Sequence, residues 1–166
     1  EHCNNISKKL NFNNLSFIYG DVIDYENKDE IDMVISLHAC NTATDIAILK
    51  ALSWKTKVFF AVPCCQKEIN SQLGNEFLPF MLKHGIIKEK FSTLLTDSVR
   101  SEILEVFGYK SDIVEFISEE NTPKNQLIRA YKASNKIDKE KLKQLENFTS
   151  SLNIKMFLLD EVSKLI

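Results

Sequence analysis

The sequence predicts a mixed α/β domain whose sheet is parallel except for one reversed strand. Two observations predict the parallel part. Short, nearly continuous apolar runs alternate with longer segments of helical spacing, the pattern of strands covered by helices. The run 57–62 (KVFFAV) is apolar beyond its first residue, which suits a strand buried on both faces and stopped by Pro63. A third observation predicts the reversal. Apolar runs at 109–117 and 126–131 are joined by a turn around Asn121, Thr122 and Pro123, too short for a crossover, so this pair is antiparallel.

The elements follow in order. Residues 1–10 read as the end of a helix, although Asn4 and Asn5 disfavour it. Residues 15–19 (LSFIY) read as a short strand ended by Gly20, and 31–37 (IDMVISL) as a second strand. Asn41 and Thr42 can cap a helix to about Trp54, with Ala43, Ala47, Ala51 and Trp54 in one stripe. After the strand at 57–62, residues 65–73 and 76–84 read as two shorter helices, the second closed by Gly85. A longer helix covers 97–107 and is closed by Gly108, ahead of the hairpin. Beyond it, Leu142, Leu145, Phe148 and Leu152 have helical spacing from Asp138, and 156–166 packs back as a last helix.

Composition narrows the function. The 166 residues suffice for one domain with a sizeable core, and 44% hydrophobic with 27% charged residues argues against bulk disorder. Lys+Arg 21 against Asp+Glu 23 leaves a net charge of -2, which advertises neither nucleic acid nor an acidic membrane surface. The longest apolar run, 58–65, is far below the ~18 residues of a membrane helix. No signal or transit peptide is evident, and Glu1 in place of an initiator Met reads as a fragment or a processed chain. Only four glycines occur, Gly20, Gly74, Gly85 and Gly108, so neither G-x-G-x-x-G nor a Walker A loop can form. Cys3, Cys40, Cys64 and Cys65 include no C-x-x-C, and a reducing, cytoplasmic setting is expected.

Open α/β sheets bind ligands outside the carboxyl ends of their parallel strands. The residues there are Gly20-Asp21-Val22, then His38-Ala39-Cys40-Asn41, then Pro63-Cys64-Cys65-Gln66, and 118–124 after the penultimate strand. Reactive and polar types thus gather at one rim. Each also has a plainer reading. Asp21 suits a turn, His38 a helix entrance, the cysteines inert packing, and Lys124 and Arg129 the surface. His38-Ala39-Cys40 before Pro63-Cys64-Cys65 faintly echoes the H-x-E…P-C-x-x-C signature of zinc deaminases. Cys40 replaces its proton-shuttling Glu, however, and neighbouring cysteines on a regular backbone point apart, so no metal is expected.

The run Leu37-His38-Ala39-Cys40-Asn41-Thr42-Ala43-Thr44-Asp45, followed by Val62-Pro63-Cys64-Cys65-Gln66, resembles a family of class I S-adenosylmethionine (SAM)-dependent methyltransferases. Bacterial members typically read L-H-A-C-D-T-A-T-D and then P-C-C-Q. Gly108-Tyr109, Glu115-Phe116-Ile117, Thr122-Pro123-Lys124-Asn125 and Ile128-Arg129-Ala130 look like that family's closing hairpin, and tRNA ribose methyltransferases are more distant kin. The resemblance covers about residues 1–133; the tail, 134–166, matches nothing and is expected to be helical and packed on the domain.

The resemblance implies a Rossmann-like class I sheet and roles for its residues. Asp21 and Val22 would meet the adenine of SAM, and Leu37, His38 and Ala39 would line its methionine moiety. Cys64, Cys65 and Gln66 would border the acceptor, His38 is the natural base by residue type, and Asn41, Lys124 and Asn125 would contact substrate. Asn41 stands where members usually have Asp, which puts a carboxylate base or substrate contact in doubt. The first two class I strands, with the glycine-rich loop and the acidic ribose ligand, are missing, so the chain reads as a C-terminal portion, inactive alone.

The expected function is methyl transfer from SAM, with RNA weakly favoured as acceptor. The lysines at 132, 136, 139, 141 and 143 lend this thin support, since acidic residues interleave. The rivals are a small-molecule or protein methyltransferase, a zinc hydrolase, and a non-catalytic interaction module. His38, Ala39 and Cys64 are expected to meet at the rim, with the turn 119–125 on the same rim. With its neighbours missing, 15–19 should be displaced or paired unusually, or the 32–37 edge covered by a partner chain such as a second copy.

Overall fold

The computed structural model describes residues 1–26, 29–74, 78–118 and 125–166. β1 (Met33–Leu37) and β2 (Val58–Val62) pair in parallel, Met33 opposite Val58 and Leu37 opposite Val62. β4 (Gln126–Lys132) lies antiparallel between β2 and β3 (Tyr109–Glu115), which gives the order β1-β2-β4-β3. β3 therefore points the same way as β1 and β2, and β4 alone is reversed.

One face of this sheet carries the core. Phe59 and Ala61 of β2, Ile128 and Ala130 of β4 and Tyr109 of β3 join one cluster with Ile48, Ala51 and Leu52 of α2 (Thr42–Ser53) and Ile103 and Leu104 of α5 (Gly85–Val106). α6 (Lys139–Ser151) and α7 (Phe157–Ser163) add Leu142, Leu145, Leu158 and Val162 to the same cluster. Trp54, at the end of the predicted stripe on α2, meets Tyr25 edge-on at 5.9 Å between ring centroids. The Tyr109 hydroxyl donates to the Thr56 carbonyl at 2.7 Å, tying β3 to the loop before β2.

The other face is bare along β1, where Met33, Ile35 and Leu37 are 44%, 56% and 63% exposed. Of their partners, Val58 and Phe60 are only half-buried, and Val62, opposite Leu37, is buried at the strand end. The run 57–62 is thus fully buried on one face and only partly on the other. Its apolar pattern asks for helices on two sides, and α2 and α5 supply one.

Residues 15–19 form no strand: Leu15, Phe17, Ile18 and Tyr19 are exposed coil. A side chain replaces the missing ladder. Asn4, on α1 (His2–Lys9), donates from Nδ2 to the Phe17 carbonyl at 2.8 Å and accepts from the Phe17 N–H at 2.7 Å. Ser7 donates to the Phe12 and Leu15 carbonyls. The segment is displaced onto α1, as expected for a strand without neighbours.

α5 begins at Gly85 and runs for 22 residues, so Gly85 opens this helix rather than closing α4 (Pro79–Leu82). Its start, 85–96, escapes apolar spacing because Ile86, Ile87 and Leu94 are exposed there while the buried positions include Ser92 and Thr96. The Ser92 and Thr96 hydroxyls bond back to carbonyls four residues earlier. α3 (Lys67–Gln72) is shorter than the predicted 65–73. Among the described residues no helix is long and apolar enough to cross a membrane.

Gly108, between α5 and β3, has φ +81, and a Cβ there would lie 2.4 Å from the Ser134 carbonyl oxygen. That neighbour cannot retreat freely, since the Ala133 and Ser134 N–H groups both donate to the Gly108 carbonyl at 2.9 Å. Gly108→Ala is expected to cost about 2 kcal/mol or more, from left-handed strain plus the clash. Urea unfolding measures it; a loss under about 0.5 kcal/mol would show that the 133–136 turn moves aside at no cost.

Candidate functional site

Because β1 and β2 are parallel, their carboxyl ends share one edge, and because β4 is antiparallel to β2 it starts there. Three segments meet at this rim: 38–41, 63–66 and the described ends of the hairpin. The predicted turn falls on 119–124, which, including Lys124, lie outside the described residues.

Backbone bonds zip the first two segments together. The His38 N–H donates to the Val62 carbonyl at 3.3 Å and the Asn41 N–H to the Cys65 carbonyl at 3.1 Å. His38 and Asn41 sit at positive φ, 55 and 50, sparsely populated conformations that cost a non-glycine residue about 1–3 kcal/mol. Such strain persists where surrounding bonds over-determine it and is frequent at functional sites. Here Thr44 donates to the Ala39 carbonyl at 2.7 Å and Arg100 Nη2 to the Asn41 carbonyl at 2.9 Å. His38 is exposed and Ala39 half-buried, with Leu37 open at the strand end.

The Asn41 side chain has a local task. Its Oδ1 accepts from the Lys67 N–H at 3.0 Å, fixing the start of α3 against the 38–41 loop. An aspartate oxygen could accept the same bond, so Asn in place of Asp leaves this contact intact.

Beneath the rim lies a buried charge network that sequence reasoning missed. Arg100, 1% exposed, donates from Nε to Asp45 Oδ1 at 2.7 Å and from Nη1 to Asp97 Oδ1 at 3.0 Å. Burial works against the guanidinium charge, but Asp45 and Asp97 outweigh it and hold the Arg100 pKa above its ordinary value. Gln66 joins the network, donating to Asp97 Oδ2 at 3.1 Å and accepting from the Thr93 hydroxyl at 3.3 Å. Expected at the acceptor border, Gln66 is instead buried, with both ends of its amide engaged. Asn125, expected on substrate, is 2% exposed and donates to the Ile117 carbonyl at 3.0 Å, so its side chain closes the hairpin.

Three thiols converge above this network. Cys40 Sγ lies 3.0 Å from Cys64 Sγ and 3.7 Å from Cys65 Sγ. Side-chain hydrogen bonding with Cys64 and Cys65 holds the pKa of the Cys40 thiol below its ordinary value. The Cys40 contact and burial push Cys64 up to about 12. The fourth cysteine, Cys3, is exposed on α1.

Asp21 and Val22 belong to a different element, a 3-10 turn that packs on α2. Both are exposed, and Asp21 Oδ1 accepts from the Ile23 N–H at 3.0 Å, the plain turn role weighed from sequence. The structure therefore gathers His38, Ala39, Cys40, Asn41, Cys64 and Cys65 at one rim and Gln66 below it. Lys132 and Lys141 are tied inward, Lys132 to the Phe107 carbonyl at 2.7 Å and Lys141 to Glu102 at 2.9 Å and to Glu105.

Comparison with known proteins gives a match on the first part of the chain. Residues 1–72 fit the family described as a methyltransferase domain, a stretch that includes both rim motifs through Gln66. No curated protein and no solved structure matches. By that match, residues 1–72 are similar to a family of methyltransferase domains.

Proposed function

We propose that the chain is the C-terminal portion of a class I methyltransferase that uses SAM. The observation that carries this reading is the methyltransferase-domain match over residues 1–72. The strand order supports it: a parallel pair followed by a reversed strand inserted before the last one is what the class I resemblance implies for its carboxyl-terminal half. The bare, apolar face of β1 fits a sheet that expects further cover.

The residues present fit one flank of the cofactor. Leu37 and His38, open at the rim, and the half-buried Ala39 would line the methionine moiety, and Asp21 with Val22 the adenine. Asp21 would have to exchange its bond to Ile23 for the adenine amine, a rotation its exposure permits. When bound, SAM supplies a methyl group on a positively charged sulfur. The protein's task is then to align an acceptor for in-line displacement and to exclude water. His38 would take the proton of a hydroxyl acceptor as the new bond to the methyl carbon forms and the electron pair of the broken bond stays on sulfur.

For the acceptor, RNA is favoured on the resemblance to tRNA ribose methyltransferases. With Lys132 and Lys141 tied inward, phosphate contacts would fall to the exposed Lys136, Lys139 and Lys143. Cytoplasmic residence is proposed with it, on cysteine usage.

Calorimetry with SAM tests the reading. Residues 1–166 are expected to bind at least about tenfold more weakly than a chain extended by its upstream coding segment, for a loss of about 1.4 kcal/mol or more. The extended chain should also transfer methyl. Equal affinity for both would place the cofactor elsewhere, and absence of binding to either would remove the SAM reading.

A further inference from the structure

We propose that Cys40, Cys64 and Cys65 form a three-thiolate site for a soft divalent cation, zinc(II), with the fourth coordination position left open. From sequence, the adjacent Cys64 and Cys65 argued against this, because neighbours on a regular backbone diverge. The structure removes that objection. β2 ends at Val62, residues 63–66 have no regular conformation, and all three sulfurs lie within 4.8 Å of one another.

The spacing suits the ion. A tetrahedral zinc with Zn–S of about 2.3 Å sets its sulfurs about 3.8 Å apart. Cys40 to Cys65, at 3.7 Å, already meets this, and Cys40 to Cys64, at 3.0 Å, needs to open by under 1 Å. The two ligand-bearing segments are held in register by the His38-to-Val62 and Asn41-to-Cys65 backbone bonds, and Asn41 and Arg100 lock the first of them. The ligands are thus placed before any ion arrives. Three sulfurs select zinc over magnesium or calcium, which prefer oxygen.

Among the described residues no His, Asp or Glu atom joins the three sulfurs. Three protein ligands with a vacant fourth position is the pattern of a reactive zinc site, where water or another donor completes the shell, rather than of a closed structural one. The hydrophobic core lies on the helical face of the sheet and includes none of these cysteines, so the fold does not depend on the ion.

The test uses residues 1–166, reduced, stripped with a chelator and titrated with cobalt(II) as a spectroscopic stand-in, then with zinc(II). One cobalt per chain is expected, with an intense sulfur-to-cobalt absorption band that zinc abolishes and with three of four thiols shielded from a thiol reagent. Cys40→Ser, Cys64→Ser and Cys65→Ser should each weaken zinc binding more than about 100-fold, the upper range for changes to mere supporting residues. Cys3→Ser should leave it unchanged, and circular dichroism should show every variant folded. A folded wild-type chain without the cobalt band, binding that survives any of the three rim substitutions, or binding lost in Cys3→Ser would overturn the proposal. So would recovery of Cys40 and Cys64 as a disulfide in the reduced, zinc-supplied protein. The readout is metal binding itself, so its failure would leave the methyltransferase reading untouched.

Discussion

Arg100→Met is expected to destabilise the fold by about 3–5 kcal/mol, the usual cost of removing one partner from a buried ion pair. Arg100 lies between Asp45 and Asp97, whose side chains are each only 2% exposed, so both carboxylates would be left in the interior facing a thioether. The Asn41 carbonyl would lose its guanidinium partner as well, in a residue already held at φ 50. The damage should therefore extend from the α2–α5 contact to the rim. Urea unfolding at neutral pH measures it, with an unchanged slope confirming that stability alone has moved. Adding Asp45→Asn and Asp97→Asn to Arg100→Met should recover part of the loss, since neutral amides tolerate burial better than unpaired carboxylates. A single-variant loss under about 1 kcal/mol would mean that water reaches the carboxylates and the network contributes little.

Legibility from sequence followed apolar patterning. β2 and the closing hairpin were readable because their apolar runs end at Pro63 or are flanked by Gly108, and β1 was readable from an apolar run of strand length although one of its faces is exposed. The rim motifs were readable because residues following parallel strands share an edge whatever their side chains do. Three things were not readable. Residues 15–19 have strand composition, but a strand also needs a partner, and an asparagine amide on α1 took that place. The start of α5, 85–96, leaves Ile86, Ile87 and Leu94 exposed and buries the hydroxyls of Ser92 and Thr96, so no apolar face announces the helix there. Gln66 and Asn125 look like rim polar groups, yet a buried amide is stable only with partners, and here these are Asp97 with Thr93, and Ile117. Asp97 and Arg100 three apart on one helix were the available signal for the network, and they read equally well as a surface pair.

His38→Ala is expected to lower methyl transfer by about 10²–10⁴-fold, the range for loss of a general base, while SAM affinity in the extended protein changes little. This rests on the methyltransferase reading. The motivation is geometric: His38 is exposed on the loop where β1 and β2 end together, beside the segment that carries Cys64 and Cys65. A second variant separates chemistry from folding. His38 occupies φ 55, so His38→Gly removes a positive-φ strain of about 1–3 kcal/mol. The freer unfolded glycine offsets about 0.5–1 kcal/mol of that. His38→Gly should then be as stable as the parent or more so, yet as impaired in transfer as His38→Ala. Activity and SAM affinity falling by the same factor in both variants would make His38 a wall of the cofactor pocket rather than a base. Full activity in the stable His38→Gly protein would place proton transfer on another group.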